Sequence, residues 1–228
     1  MRLAIIGGSS SIGRAVIRLC AARGDDLLAT WSQHQLSPAP GLEVARLDLR
    51  DPASLDRFAA VVRARGKLDA VLLLSALLPG KTLAEYDLAL MQEVMTVNVT
   101  AQARLIQLLL PEMASGGQML LMSSVSGRQG SHDPLYAASK AALLGLTRSL
   151  AAAHGRDVRF NCLAPSLVEG SAMCRAMSEE RQAFHRASSS TGALLELGEL
   201  ARVIVDLTGP HWRQLNGATL DLGGGLRR

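Results

Sequence analysis

Tyr136 and Lys140 are four positions apart in the sequence and could together transfer a proton. In a helix, side chains at this spacing project from one face, about one turn apart. A phenol with its ordinary pKa of about 10 exchanges protons poorly at neutral pH unless a cation such as a lysine ammonium stabilises the phenolate. The pair can also arise by coincidence, so it indicates acid/base chemistry only together with other signals.

Ser124 and Asn98 are two further polar candidates. Ser124 follows an apolar run that ends at Met122, and its hydroxyl could hydrogen-bond a carbonyl oxygen as negative charge develops there. By itself, a serine at this place is more typical of an ordinary turn. Asn98 is a poor helix former inside a helical stretch, so it either caps a turn or acts at a distortion of the helix. The residue alone favours the local cap.

A segment of small residues separates the first apolar run from the first helical pattern. Small residues let the backbone approach a pyrophosphate, and a helix N-terminus offers free N–H groups and a partial positive charge. A tight turn closed by a serine cap is the alternative interpretation. The candidate cofactor-binding residues of this segment are Gly7, Ser9, Ser10, Ser11, Ile12 and Gly13.

The ends of the next two strands would meet the adenosine half of a dinucleotide. Asp48, just beyond the third strand, could accept a hydrogen bond from the adenine amino group, although alone it is typical of a loop aspartate. Residues 30–32 are Thr-Trp-Ser and offer no carboxylate to a ribose 2′-hydroxyl, which favours NADP(H) over NAD(H). No basic residue is obviously placed for a 2′-phosphate, and the available contacts are Arg14, Ser32 and His34.

Strand and helix patterns alternate along the chain and must position these residues. The alternation predicts an α/β fold with one domain over residues 1–228: a doubly wound parallel sheet of about seven strands, with helices on both faces. The predicted strands are 3–6, 27–31, 44–47, 70–74, 118–122, 158–164 and 218–222. The predicted helices cover about 12–24, 52–65, 83–113, 134–154 and 199–207. Asp-Pro pairs at 51–52 and 133–134 mark two helix starts.

Two connections depart from that alternation. Residues 32–43 are too few and too rich in Pro and Gly for a full helix, so we expect a loop. Residues 166–190, hereafter the flap, are long enough to form a mobile cover over a substrate. Its apolar and basic side chains would suit an apolar substrate with an anionic handle, but ordinary packing and a solvated face are favoured. These side chains are Met173, Met177, Phe184, Arg175, Arg181 and Arg186.

The composition excludes several classes of protein. With 48% hydrophobic and 19% charged residues, the chain can build a substantial core and is not disordered. Aromatics at 3% and singly scattered cations argue against nucleic-acid binding, despite a net charge of +4. Cys20, Cys162 and Cys174 form no metal or disulfide pattern, which favours a reducing, cytoplasmic location. No apolar run is long enough for a signal peptide or a membrane span, so we expect a soluble, unprocessed protein.

Taken together, the motifs resemble those of the short-chain dehydrogenase/reductase family, in the branch that contains 3-oxoacyl-carrier-protein reductases. The resemblance runs nearly end to end. It rests on the small-residue segment 7–13, Asp48-Leu49, Val97-Asn98, Ser123-Ser124 with Gly127, Tyr-Ala-Ala-Ser-Lys at 136–140, Asn-Cys-Leu-Ala-Pro at 161–165 and Asp-Leu-Gly-Gly at 221–224.

The resemblance implies a Rossmann-type NAD(P)-binding domain and a catalytic tetrad of Asn98, Ser124, Tyr136 and Lys140. Tyr136 would exchange the proton and Ser124 would position the carbonyl. Lys140 would hold the nicotinamide ribose, and Asn98 would support a proton-relay water. The protomers of the family usually assemble as dimers or tetramers through long helices such as the one that carries Tyr136.

The resemblance also extends the cofactor site. Leu49 would join Asp48 at the adenine, and the backbone from Pro165 to Val168 would receive the nicotinamide carboxamide. The chain departs from the family pattern at Ile6, Ser11, 73–76 (Leu-Leu-Ser-Ala) and Ser166. At position 11 and at 75–76, side chains stand where the family lets the cofactor approach the backbone.

We therefore expect an NAD(P)(H)-dependent oxidoreductase that moves hydride between nicotinamide and a carbonyl or secondary alcohol, with a 3-oxoacyl thioester as a candidate substrate. A catalytically idle, cofactor-binding regulator is one alternative. An epimerase or dehydratase that uses the same tetrad is another. The expected partners are a small-molecule substrate and further copies of the chain, in a homodimer or homotetramer, with no nucleic acid, membrane or metal.

Overall fold

A computed structural model describes residues 1–225 of the 228-residue chain. The strands are β1 (Arg2–Ile6), β2 (Asp26–Trp31), β3 (Leu42–Arg46), β4 (Leu68–Leu73), β5 (Met113–Met122), β6 (Val158–Pro165), β7 (Val168–Glu169), β8 (Leu195–Glu196) and β9 (Thr219–Leu222). The helices are α1 (Ser11–Ala22), α2 (Pro52–Arg65), α3 (Leu88–Met95), α4 (Ala101–Leu109), α5 (Ser126–Gln129), α6 (Pro134–His154), α7 (Ala172–Arg175), α8 (Glu179–Ser188) and α9 (Leu197–Leu207).

The described residues form one parallel sheet of seven strands in the order β3-β2-β1-β4-β5-β6-β9. The chain runs outward from β1 to β3, returns to β4 on the other side of β1, and continues outward from there. In such sheets, ligands bind at the carboxyl edge where the strand order reverses. The α/β fold, its doubly wound order and the seven strands are therefore confirmed. The short parallel pair of β7 and β8 was not predicted.

The sheet is covered on both faces, which explains why its central strands β1, β4 and β6 are mostly apolar and buried. One apolar layer packs the sheet against α2, α4 and α6, through residues such as Phe58, Leu105 and Leu143. The other packs it against α1 and α9, through residues such as Val16 and Ile204. The central strands therefore meet helices on both faces, and the carboxyl edge between the two layers is left for polar side chains.

The two Asp-Pro helix starts fix α2 and α6 at their predicted bounds. Asp51 accepts a hydrogen bond from the amide of Ala53 at 2.9 Å, and Asp133 accepts one from the amide of Tyr136, also at 2.9 Å. In each helix a proline follows the cap, at a position whose amide has no helical partner. The sequence signals are local here, so both helices begin and end where they were predicted.

The helical material predicted over about residues 83–113 is divided into five short elements. The segment contains a 3-10 turn at Leu83–Glu85, then α3, a π-helical turn at Thr96–Thr100, then α4 and a second 3-10 turn at Leu110–Glu112. Pro111 lies in that last turn and cannot continue α4, and Met113 belongs to β5. The π-helical turn is centred on Asn98 and belongs to the candidate site.

The two irregular connections have different structures. Residues 32–41 form the predicted loop, which is held down by Leu36, a residue with 4% of its surface exposed. The flap contains β7, α7 and α8, and it is anchored by Cys174, which packs with Leu167 and Leu194. The flap is therefore a folded segment next to the carboxyl edge rather than an extended loop. Within residues 1–225, no helix has the length and apolar character to cross a membrane.

Candidate active site

Ser124, Tyr136 and Lys140 meet at the carboxyl edge of β5. Ser124 follows the strand, while Tyr136 and Lys140 lie on one face of the first turns of α6. The Ser124 hydroxyl lies close enough to the Tyr136 phenol to lower its pKa. All three are buried, with 8% of Ser124, 7% of Tyr136 and 1% of Lys140 exposed. The structure thus brings together three of the four residues predicted to be catalytic.

The first turn of α6 is fixed by Asp133, which does more than cap the helix. One carboxylate oxygen accepts from the Tyr136 amide and from the Tyr86 hydroxyl at 2.7 Å. The other accepts from the amide of Gly80 at 2.9 Å. Asp133 therefore ties the segment after β4 to the helix that carries Tyr136. The sequence predicted the cap, but nothing local in it pointed to the contacts with Tyr86 and Gly80, about fifty positions away.

Burial dominates the proton equilibria of Tyr136 and Lys140. It raises the pKa of Tyr136 to about 12, with a further increase from the Asp133 carboxylate and an opposing decrease from the Ser124 hydroxyl. Burial also lowers the pKa of Lys140 to about 8. Lys140 is not among the groups that shift the pKa of Tyr136 here, so its stabilisation of the phenolate stays a prediction. At neutral pH the phenol is protonated, which is the form that can donate a proton.

Lys140 reaches under Tyr136 towards the end of β5. Its Nζ donates to the carbonyl oxygen of Met122 at 2.7 Å and lies 5.6 Å from the centre of the Tyr136 ring. A hydrogen bond from Ser123 Oγ to the Lys140 carbonyl oxygen, 2.7 Å long, joins the same two elements. These contacts fix the position of α6 relative to the end of β5.

Ser124 is held between the ends of two neighbouring strands. Its hydroxyl lies 3.4 Å from the carbonyl oxygen of Pro165 at the end of β6, and it accepts from the amide of Ser126 at 3.2 Å. The amide of Val125 donates to the same Pro165 oxygen at 3.1 Å. Ser124 can therefore present its hydroxyl to a ligand at the edge without a change in the backbone.

Asn98 is fully buried in the π-helical turn and forms no hydrogen bond with Tyr136 or Lys140. Its side chain accepts from the amide of Leu77 at 2.7 Å, donates to the carbonyl oxygen of Leu77 at 2.9 Å and donates to Ser139 Oγ at 2.9 Å. The local cap favoured for Asn98 is therefore wrong. The residue sits at a helix distortion and joins the segment after β4 to α6.

The small-residue segment forms a tight turn between β1 and α1. Gly7 has φ +90°, and its amide donates to Thr30 Oγ1 at 3.0 Å. A β-carbon on Gly13 would meet the carbonyl oxygen of Gly7 and lie 2.6 Å from the Cα of Gly8. The backbone of this turn is so close to α1 that only glycine fits at position 13.

The first turn of α1 offers donors to an anion. Ser10 caps the helix by accepting from the Gly13 amide at 3.0 Å. Among the residues that the structure describes, the amides of Ser11 and Ile12 have no hydrogen-bond acceptor. The turn therefore has the serine cap expected of a simple tight turn. It also has the free amides expected of a pyrophosphate-binding turn. A phosphate group fits these donors and the positive end of the helix dipole; we call Ser9 to Gly13 the cradle.

Ser75 and Ser11, which depart from the family pattern, both contact other parts of the chain. The Ser75 hydroxyl lies 2.6 Å from where a β-carbon on Gly7 would be, so Ser75 packs directly beside the turn. Its carbonyl oxygen accepts from Gln102 Nε2 at 3.0 Å. Ser11, at the start of α1, accepts a hydrogen bond from Arg175 of the flap at 3.3 Å. Both serines are thus engaged with other parts of the chain.

At the adenosine end, Asp48 is half-buried beyond β3. It accepts from the amide of Arg50 at 3.0 Å, and its carboxylate lies 3.6 Å from the Arg50 guanidinium. This local contact is typical of a loop aspartate. It leaves part of the Asp48 carboxylate available to a ligand. The Leu49 side chain is buried in the core, so any contact of Leu49 with a cofactor would use the main chain.

Arg46 was missed by the sequence analysis. It is the last residue of β3, opposite Trp31 in the parallel register, and its guanidinium lies 5.9 Å from the Trp31 ring. Because the side chains of a strand alternate, the run Leu42, Val44 and Arg46 shares a face, and the pairing of β2 with β3 would have placed Arg46 beside Trp31. Arg46 is the cation at the end of β2 that the sequence analysis did not find.

Pro165 and Val168 lie where the flap leaves the sheet. Pro165 ends β6 and binds the backbone after β5 through its carbonyl oxygen. Val168 is buried, pairs with Leu195 in the short second sheet, and accepts from the amide of Ser171 at 3.2 Å. A nicotinamide carboxamide could meet this segment through main-chain groups. Within residues 1–225, no cluster of three or more His, Cys, Asp or Glu could hold a metal ion.

Comparison with known proteins agrees with this arrangement. Residues 7–227 match a family model described as enoyl-(acyl carrier protein) reductase. The chain is 29% identical to the short-chain type dehydrogenase/reductase y4mP of Sinorhizobium fredii, over 99% of this chain and 97% of that one. It is 27% identical to the 3-oxoacyl-[acyl-carrier-protein] reductase FabG of Escherichia coli, over 97% and 95% of the two chains.

A solved structure has the same architecture. A short chain dehydrogenase from Burkholderia cenocepacia, crystallised in complex with NADP, superposes with a TM-score of 0.89 at 25% identity. The match covers 98% of this chain and 96% of that one. The family model, the relatives and the sheet order agree, and the chain belongs to the short-chain dehydrogenase/reductase family of oxidoreductases.

Proposed function

We propose that the protein transfers hydride between the nicotinamide of NADP(H) and a carbonyl or secondary alcohol, with Ser124, Tyr136 and Lys140 as its catalytic residues. The observation that carries this proposal is the shared burial of Ser124, Tyr136 and Lys140, with Lys140 Nζ 5.6 Å from the centre of the Tyr136 ring, at the same edge of the sheet as the cradle. When bound, the nicotinamide supplies the hydride in reduction and accepts it in oxidation.

In the direction of reduction, Ser124 and Tyr136 hold the substrate oxygen. As hydride adds to the carbonyl carbon, negative charge develops on that oxygen, and the two hydroxyls stabilise it. Tyr136 then donates its proton to the oxygen, which leaves a phenolate and completes the alcohol. In oxidation, the same groups act in reverse, and the phenolate takes the proton from the alcohol.

Lys140 has two roles in this proposal. It stabilises the Tyr136 phenolate after proton donation, since its Nζ already lies beneath the ring. With a cofactor bound, its ammonium can turn from the Met122 carbonyl to the nicotinamide ribose. Asn98 acts as a positioning residue, because its side chain holds the segment after β4 against the helix that carries Tyr136 and Lys140. We also propose that Asn98 supports a proton-relay water.

The preference for NADP(H) rests on the adenosine end. Residues 30–32 have no carboxylate that would repel a 2′-phosphate, and Arg46 stands at the ends of β2 and β3. Asp48 and Leu49 are proposed to meet the adenine there. The structural relative from Burkholderia cenocepacia is a complex with NADP, which is in keeping with this preference.

For the substrate, we propose a 3-oxoacyl thioester. Support comes from the named activity of the FabG relative and from the flap, where Phe184 is 69% and Met173 37% exposed. Exposed apolar side chains on a segment beside the site suit an acyl chain. We also propose that α6 contributes to a dimer or tetramer.

The proposal is tested by titrating the purified chain with NADPH and NADH, and then by measuring turnover of acetoacetyl thioesters. Micromolar binding with carbonyl-dependent oxidation of NADPH supports the proposal. Cofactor binding without turnover of any carbonyl or alcohol would favour the idle regulator. Conversion of substrate with no net change in NADPH would favour an epimerase or dehydratase.

A further inference from the structure

An arginine side chain of the flap hydrogen-bonds the cradle. Arg175, the last residue of α7, donates from Nη2 to Ser11 Oγ at 3.3 Å, and from Nη1 to the carbonyl oxygen of Gly170. Ser11 is 164 positions away in the sequence and begins α1. The contact therefore brings a guanidinium from the flap to the helix end where cofactor phosphates would bind.

Arg14 and Arg175 each bring a guanidinium to the cradle. Arg14 also lies at the turn and donates from Nε to the carbonyl oxygen of Ser9 at 3.1 Å. Over residues 1–225, neither Arg14 nor Arg175 forms a salt bridge, whereas Arg186 of the same flap pairs with Glu169 at 3.3 Å. The N-terminus of α1 adds its own partial positive charge, so a guanidinium placed there is repelled unless an anion is present.

The free donors at this place match an anion with several oxygens. The amides of Ser11 and Ile12 have no acceptor in the described chain, and Arg175 lies beside them through its contact with Ser11. Guanidinium groups bind phosphate oxygens in a planar, directional way, and charge-assisted hydrogen bonds are stronger than neutral ones. A pyrophosphate would satisfy the amides and both arginines at once.

We propose that Arg175 binds the cofactor pyrophosphate, so that the bound dinucleotide holds the flap in place; this inference rests on the proposed function. Ser11 stands where the family pattern has a glycine, and here its hydroxyl anchors Arg175. Because the flap also carries Met173 and Phe184, cofactor binding sets the position of the apolar side chains that would meet the substrate.

The test compares three full-length proteins: wild type, Arg175→Ala and Arg181→Ala. Arg181 is a matched control, since it is an exposed arginine of the flap with no side-chain contact to the cradle in the described structure. Calorimetric titration uses NADPH, NADH, ADP-ribose and 2′-AMP. We expect Arg175→Ala to weaken binding of the first three about tenfold. Binding of 2′-AMP, which has no pyrophosphate, should be unchanged, and Arg181→Ala should bind all four ligands like wild type.

Each other outcome has a defined meaning. Unchanged affinity of Arg175→Ala for NADPH and NADH would overturn the assignment of Arg175, and tighter binding would show that its contact with Ser11 obstructs the cradle. An equal loss for 2′-AMP would overturn the choice of the pyrophosphate. If wild type binds no dinucleotide, the proposed function fails and the inference fails with it.

A second measurement tests the link to the flap. Glutamyl endopeptidase can cut at Glu179 and Glu180, which begin α8. Saturating NADPH should slow this cleavage several-fold in wild type and in Arg181→Ala, but not in Arg175→Ala. Equal protection of all three proteins would overturn the role of Arg175 in linking the cofactor to the flap, even if the affinities change as expected.

Discussion

Gly127 lies directly against the backbone of Lys140. A β-carbon on Gly127 would stand 2.7 Å from the carbonyl carbon of Lys140 and 2.8 Å from the amide nitrogen of Ala141. Since both neighbours are backbone atoms of α6, neither can turn away as a side chain could. The absence of a side chain at position 127 thus allows the turn after Ser124 to pack against the helix that carries Tyr136 and Lys140.

Gly127→Ala should displace α6 from the end of β5. We expect a loss of about 2 kcal/mol in the free energy of unfolding, as for other overpacked sites, and a large fall in turnover. Gly145→Ala, in α6 itself, is the matched control, because a β-carbon there meets nothing within 4 Å. It should raise stability by about 0.5–1 kcal/mol. Urea unfolding and turnover of both variants check this, and a Gly127→Ala protein as stable as wild type would contradict it.

Tyr136→Phe should reduce turnover about a thousandfold while leaving NADPH affinity unchanged, because it removes the transferable proton and little else. Tyr86→Phe is a useful comparison, since Tyr86 donates a buried hydrogen bond to Asp133. That variant should lose about 1 kcal/mol of stability and keep most of its turnover. Steady-state kinetics, NADPH titration and urea unfolding separate the two effects. Retained turnover in Tyr136→Phe would rule out the assigned proton donor.

The buried Lys140 should make stability rise with pH. Its pKa is lowered from 10.5 to about 8 by burial, so between these values the unfolded chain binds more protons than the folded chain. The free energy of unfolding of wild type should therefore increase relative to Lys140→Met, by up to about 3 kcal/mol across that range. Urea unfolding of both proteins from pH 7 to pH 10 measures this difference. Parallel pH profiles would show that Lys140 keeps an ordinary pKa.

Local sequence signals predicted the scaffold well, and long-range contacts explain the rest. The Asp-Pro caps and buried strands fixed α2, α6 and the sheet, because such signals act within a few residues. The π-helical turn at Asn98 depends on partners at Leu77 and Ser139, which no local pattern indicates. The residues predicted at the site came from motifs, whereas Arg46 required the register of two strands.

The contact of Arg175 with Ser11 is another long-range contact that local sequence signals do not indicate. The sequence favours a solvated face for the arginines of the flap, and Arg175 and Arg181 are indeed exposed, but Arg175 also donates to Ser11. The contact depends on how far the flap folds back over the carboxyl edge, and that is set by the packing of Cys174 with Leu167 and Leu194. Hydrophobic periodicity gives no information on such a tertiary contact.

Arg46→Ala should change the choice between the two cofactors. The 2′-phosphate distinguishes NADPH from NADH, and Arg46 is the cation nearest the ring of Trp31 at the end of β2. We expect NADPH affinity to fall about tenfold and NADH affinity to stay the same, because a charge-assisted contact is lost only where the phosphate is present. The loss should shrink at high salt, since the site is exposed and screened.

Arg57→Ala is the control for this prediction. Arg57 lines the same cleft as Arg46 and Asp48, but its guanidinium pairs with Asp51 at 2.9 Å. It should bind NADPH and NADH like wild type. Fluorescence titrations at two salt concentrations compare the variants with the wild-type chain. An equal loss for both cofactors in Arg46→Ala would mean that Arg46 supports Trp31 and the strand end rather than a 2′-phosphate, and the preference for NADP(H) would then lose its structural support.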